Sequence, residues 1–194
     1  MNWLRRTKCP HCKAKLEAGQ RIHPDCIEPW AEAQAAKKER EEAKRARAAA
    51  KVERAETKRR KEAIKTIPEL TREAQIAFNA FIRARDQAAG YPCISSGRPL
   101  DWSGNAVDAG HYRSTGAAPH LRFNEDNCHA QSKFDNQWRA GNVVDYRIKL
   151  IDRIGLERVE ALEADNQVRK WTRQELIDIR DKYRAKTKEL KGRP

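Results

Sequence analysis

Long apolar runs are missing from this chain of 194 residues, and their absence excludes a membrane-spanning helix. The first residues hold no apolar stretch of the kind that centres a signal peptide, so the protein is expected in the cytoplasm. Acidic residues are also short. Against 41 Lys+Arg stand 28 Asp+Glu, a net charge of +13. Such an imbalance favours polyanionic partners through counterion release, nucleic acid ahead of an anionic membrane surface. Aromatic residues make up only 7% of the chain, and several fall at core positions. Few remain for the stacking platforms that single-strand RNA readers use, which makes an RNA-binding or RNA-cleaving factor the weaker reading of the charge. With 39% hydrophobic and 36% charged residues, the chain has material for one ordinary domain and a small module, the remainder being solvated.

Cysteines are few, five in all, and unevenly placed. Cys9-Pro-His-Cys12 is answered by His23-Pro-Asp-Cys26, with Gly19 supplying a turn between the two pairs. Two tight pairs joined by a short loop offer the four S and N ligands that Zn²⁺ takes in tetrahedral geometry. A module so poor in apolar residues would draw its folding energy from the metal. Cys9, Cys12, His23 and Cys26 are therefore the expected structural zinc ligands, with His11 an alternative to His23. Cys93 and Cys128 stand alone, and an odd count with a CxxC pair points away from disulfides. The module is assigned residues 1–29.

Glycine and proline are absent from residues 36–65, which hold 13 Lys/Arg and 6 Glu among many alanines. Ala, Lys, Arg and Glu are strong helix formers, and opposite charges recur at spacings of three and four. The stretch reads as a long polar helix or as a disordered charged linker. Without an apolar stripe it cannot pack firmly on a core. Its charge, including Lys58, Arg59, Arg60 and Lys61, can lie along phosphates without reading sequence. This arm is assigned residues 30–67.

Pro68 resets the chain, and residues 68–194 form the expected main domain. Thr71 is the expected N-cap of a helix with Ala74, Phe78, Phe81 and Ile82 on its apolar face, ending near Gly90. Extended pieces are expected at 100–102, 106–112 and 121–123. Helices resume at Ser132, break at Gly141, restart with Asn142 and Asp145 as caps and stop at Gly155. A short helix from Leu156 to about Ala164 follows. Thr172-Arg-Gln-Glu175 is a capping box that opens a last helix with Leu176, Ile179 and Tyr183 on one face.

The stretch Asp108-Ala-Gly-His-Tyr-Arg113, followed by Asn127 and Asn136, has the layout of a ββα-metal nuclease site. Phosphodiester hydrolysis needs an activated water and positive charge near the oxygens that gain negative charge. His111 suits the first task if one ring nitrogen is held by a carbonyl. Asn136 offers an oxygen to Mg²⁺ or Mn²⁺. Asp108 lies on the opposite face of a strand from His111, so it reaches the same ion only if the backbone twists or bulges. Asn127 is placed to brace the connecting loop. Arg113 and Arg122 are placed to meet phosphates.

At these residues the chain resembles the NinG/Rap family of lambdoid-phage recombination endonucleases. The matching pieces include Asn79-Ala-Phe-Ile-Arg83, Pro92-Cys-Ile-Ser95, Trp102 to Arg113, Leu121-Arg-Phe-Asn-Glu125, Asn127, His129, Gln131, Asn136, Gly141-Asn142, Arg153-Ile-Gly155 and Trp171-Thr172. The resemblance implies an α+β fold with a small HNH-like core among helices, and metal-dependent cleavage of branched DNA such as Holliday junctions and D-loops. By the same resemblance His111 is the general base, Asn127 the loop brace and Asn136 a metal ligand. The family commonly carries a second zinc site, whose positions here read Cys93, Ser96, Ser132 and Asp135. That site is expected to be absent, with apolar packing holding the hairpin instead. A two-fold symmetric junction suggests a homodimer, and phage or host recombination proteins are possible partners in the bacterial cytoplasm. The rival reading is a catalytically silent junction-binding accessory protein.

Overall fold

The computed structural model describes residues 7–139 and 141–192. Backbone contacts divide the chain into two units, Met1–Ile64 and Lys65–Pro194.

In the first unit, Lys8 and Lys15 bridge across a knuckle that carries Cys9 and Cys12. The Cys9 N–H bonds the Ala14 carbonyl at 2.9 Å, and Lys13 turns the chain with a φ of 61°. A 3₁₀ turn, Pro24–Cys26, leads into α1, Ile27–Ile64. This charged stretch is a helix of 38 residues rather than an irregular linker, and none of its residues is buried. Propensity and pairs such as Lys38–Glu42 (3.8 Å) and Glu56–Arg60 (3.5 Å) therefore support it in place of packing.

The second unit opens with α2, Ile67–Ala88, which starts earlier than the expected cap at Thr71. Thr66 is the N-cap, in a reciprocal capping box with Glu69, and Pro68 lies in the first turn. A proline there loses only an N–H that has no helical partner anyway, so it begins this helix instead of ending the segment before it. The Thr71 hydroxyl donates to the Ile67 carbonyl at 2.8 Å from inside the helix.

Two antiparallel strands follow, β1 (Val107–His111) and β2 (Cys128–Ser132), paired without a bulge from Val107↔Ser132 to His111↔Cys128. β2 was not among the expected extended pieces. Four of its five residues are buried, so it lacks the alternation that marks a strand with one wet face. Residues 121–123, expected to be extended, instead close a 3₁₀ turn at Pro119–Leu121 and continue as a turn. A π-helical turn, Phe134–Trp138, then leads to α3 (Val143–Ile154), α4 (Leu156–Ala164) and α5 (Arg173–Lys191). The Thr172/Glu175 capping box opens α5.

The hairpin lies between two apolar clusters. Ala109 and Cys128 join Leu70, Ala74, Phe78, Ile82, Leu176 and Tyr183 of α2 and α5. The other cluster gathers Ile94, Ala118 and Leu121 with Tyr146, Leu150, Val159 and Leu162 of α3 and α4. The Tyr146 hydroxyl donates to the Gly110 carbonyl at 2.9 Å, tying α3 to the strand. The architecture is α+β, mostly helical around a two-stranded sheet. No described helix is long and apolar enough to cross a membrane.

Candidate active site and metal centre

In the first unit, the ligand atoms of Cys9, Cys12, His23 and Cys26 all lie within 4.8 Å of one another. His23 turns Nδ1 toward the Cys12 sulfur (3.2 Å), while Nε2 meets the Lys15 carbonyl at 3.2 Å. An N–H donated to a carbonyl fixes the tautomer that leaves the other nitrogen free for a metal. Burial would raise the Cys9 thiol, but the N–H groups of His23, Cys12 and His11 outweigh it and bring it to about 6. Cys26 is pushed up to about 11 by burial and by its sulfur neighbours. Three sulfurs and one imidazole suit Zn²⁺, which would draw the remaining protons off. His11 is exposed and stays outside the cluster, which takes His23 as its nitrogen.

In the second unit, β1 ends on His111. Its Nε2 meets the Arg122 carbonyl at 3.0 Å, so the neutral ring keeps its lone pair on Nδ1, 3.7 Å from the Cys128 sulfur. Burial, assisted by the nearby Arg122 charge, holds the imidazole below its usual range and therefore neutral at pH 7. Asn127 is fully buried and bonds both sides of the loop. It accepts from the Arg113 N–H (2.9 Å) and donates to the carbonyls of Arg113 (3.0 Å) and Leu121 (3.3 Å). Asn127 lies immediately before β2.

Asp108 meets the helical segment. Its Oδ2 accepts from Asn136 Nδ2 and from Gln137 Nε2, each at 2.9 Å. Hard oxygen donors on partly exposed side chains suit Mg²⁺ or Mn²⁺, provided the Asn136 amide turns its oxygen to the site. The ladder is regular, so Asp108 and His111 leave opposite faces of β1, about 10 Å apart along the strand. No described hydrogen bond joins His111 to Asp108 or Asn136. The structure thus unites the two candidate metal ligands and sets the candidate base apart from them.

Of the two arginines expected at phosphates, Arg113 has another role. It gives its guanidinium to the carbonyls of Leu162 (2.8 Å), Glu163 (3.4 Å) and Asp165 and to the Asn166 side chain (2.9 Å). Those carbonyls end α4 and have no helical N–H to meet, so the arginine caps that helix. Arg122 donates to Gln75 Oε1 and to the Thr115 carbonyl, each at 3.3 Å, and lines a groove with Thr71, Arg72, Ile76 and Asn79. Lys58, Arg59, Arg60 and Lys61 are exposed on α1.

Cys93, Ser96, Ser132 and Asp135 do come together, and the expectation of apolar packing there was wrong. Asp135, buried, accepts from Ser132 Oγ (2.7 Å), from the Cys93 thiol (3.3 Å) and from Ser96. Burial would raise its carboxyl, yet these donors and the Arg139 charge outweigh that and hold it below its usual value. A hydrogen-bonded carboxylate ties β2 to the π-helical turn.

Sequence reasoning missed several residues. Gln137 shares the Asp108 carboxylate, and its place beside Asn136 was the one available signal. Arg85, Asp86 and Arg153 surround His129: Arg85 Nη2 reaches His129 Nδ1 at 3.0 Å, and Asp86 Oδ2 accepts the Ala130 N–H at 2.6 Å. Burial and the two guanidinium charges push His129 down to about 3. Gln131, fully buried, donates to Ser95 Oγ and the Gly141 carbonyl, both at 2.6 Å. Its Oε1 would lie 2.0 Å from a Cβ placed on Gly110, so a side chain there has no room.

Residues 1–193 match the family model described as Bacteriophage Lambda NinG protein. The chain belongs to the NinG family. Relatives described as Protein ninG come from Escherichia phage lambda and Escherichia phage 933W, each 45% identical over 132 residues, 67% of this chain. The Salmonella phage P22 relative is 44% identical over 131 residues, 66% of this chain. The matched stretch covers 61 to 62% of those NinG relatives' own length. No solved structure matches this chain.

Proposed function

We propose that this NinG-family protein is a metal-dependent endonuclease that cuts branched DNA, Holliday junctions among them, during phage recombination. The observation that carries the reading is the carbonyl-tethered neutral imidazole of His111 at the end of the hairpin, braced by Asn127. His111 Nδ1 takes a proton from water, and the hydroxide attacks phosphorus in line with the departing 3′ oxygen. Asp108 and, with its amide turned, Asn136 are the oxygen donors that would hold a divalent cation, and the charge it would supply to the phosphate oxygens would have to act from the strand face opposite His111. The exposed cations of α1 provide footing on phosphates without reading sequence. A homodimer would match the two-fold symmetry of a four-way junction.

A second reading, a junction-binding protein without activity, is favoured by the placement of His111 and the Asp108–Asn136 pair on opposite strand faces. The deciding experiment is cleavage of a labelled four-way junction with Mg²⁺ or Mn²⁺ by wild type and His111→Ala. Equal binding with cleavage lowered ~10²- to 10⁴-fold in the variant is the result expected for a general base. A wild type that binds yet cuts with neither metal would establish the second reading.

A further inference from the structure

Large aromatic side chains are ordinarily the first to be covered, yet Phe134 is 63% exposed and Trp138 78%. Neither Phe134 nor Trp138 enters any of the ring contacts among the described residues, which join Phe78, Phe81, Phe123, Tyr183, Trp171 and His111 in one group and Tyr112, Tyr146 and His129 in another. The two rings stand four residues apart in the π-helical turn and flank Asn136. Its inward side chains are tied down, Asp135 to Ser132 and Cys93, Asn136 to Asp108. The segment is therefore anchored, and the rings are presented from it. Lys133 precedes it and Arg139 follows it, the latter 3.8 Å from Asp135 and still half exposed.

We propose that Phe134 and Trp138 form a base-stacking platform that receives unstacked bases at a DNA branch point. The proposal rests on the branched-DNA reading above and names what would make the site prefer a branch. An anionic polymer with flat apolar faces answers both the exposed rings and the surrounding positive charge, whereas a second copy of this strongly basic chain answers only the rings. Intact duplex hides its base faces, and a branch point exposes some of them. Stacking on an aromatic ring tolerates any base, so the platform selects structure over sequence.

The test measures affinity by fluorescence anisotropy for a four-way junction and for a linear duplex of the same arm sequence. Buffer keeps zinc but omits Mg²⁺ and Mn²⁺, so the result does not depend on cleavage. Wild type, Phe134→Ala, Trp138→Ala and Trp138→Phe are compared as full chains, with melting curves as the check on folding. Trp138→Ala is expected to weaken junction binding at least about fivefold, the low end for one lost stack. Duplex binding stays within about twofold, and Trp138→Phe keeps most of the junction affinity. Wild type should also quench 2-aminopurine at the branch, and Trp138→Ala should not. Equal losses on junction and duplex would overturn the proposal, as would unchanged junction binding. So would a dimer that becomes a monomer in Trp138→Ala while DNA affinity holds, since the rings would then be an interface between copies. Absence of cleavage by the wild type would bear on the enzyme reading alone.

Discussion

Removing the metal from the Cys9, Cys12, His23 and Cys26 cluster should unfold the N-terminal module and leave the second unit intact. Before α1 begins, Cys9 and Leu16 are the buried apolar residues among those described. Burying one leucine contributes about 2–3 kcal/mol, whereas a structural zinc contributes about 10–16 kcal/mol of apparent binding energy in small modules. The metal term is several times larger, so no packing remains to hold the knuckle once it is gone. The assay follows zinc release with a colorimetric chelator, alongside thiol modification and thermal melting. One equivalent of zinc should leave per chain. Cys9, Cys12 and Cys26 should then react quickly, while the buried Cys93 and Cys128 stay protected until the second unit melts at its unchanged temperature. Acid should give the same result, because thiolates and His23 must be unprotonated to bind. A protein that purifies without zinc, or whose three N-terminal thiols stay protected after chelation, would refute the argument.

Asp86→Asn should cost about 3–5 kcal/mol, the range for breaking a buried ion pair, because Arg85 and Arg153 would remain around His129 without a counter-charge. Denaturant unfolding checks this, with the exposed Lys38→Ala as a control of less than about 0.5 kcal/mol. His129, depressed to about 3, is neutral in the fold and protonates sooner when unfolded. Its contribution is therefore complete above about 6.5 and lost as pH falls from there toward 3, which urea midpoints across that range will show. Gly110→Ala should cost about 1–3 kcal/mol by forcing Gln131 off its two hydrogen bonds, and combining it with Gln131→Ala should cost less than the sum of the two single changes. If His111 is the base, the acid limb of cleavage should fall below its ordinary value of about 6.5, since burial favours the neutral ring. A limb above that value would point to another group.

What could be read from sequence was local. The spacing of Cys9, Cys12, His23 and Cys26 sufficed to name a candidate metal cluster, because two short loops carry all four side chains. The charged stretch offered a helix through its residue types, with a disordered linker as the alternative, and Thr172 with Glu175 announced the start of α5, because a cap needs only neighbours within one turn. Thr66 offered the same signal before α2 and was masked by Pro68, which breaks a helix in its middle and suits one at its start. The candidate site residues His111, Asn127 and Asn136 were named from their order along the chain together with the family resemblance.

Their relations were not. Whether Asp108 meets Asn136, and on which face His111 lies, depends on strand register and on the turn after β2, both set by packing against α2, α3 and α5. Arg113 looked free for phosphate until α4 brought its terminal carbonyls to it. Asp135 took the centre of a polar tie only because Cys93, Ser96 and Ser132 converge from separate segments. Exposure is likewise a property of the assembled chain: Phe134 and Trp138 stand in water only because every other element has packed without covering them. Residue type and near-neighbour spacing fix chemistry and helix ends. The meeting of distant groups follows from burial of the whole apolar surface, which no short stretch contains.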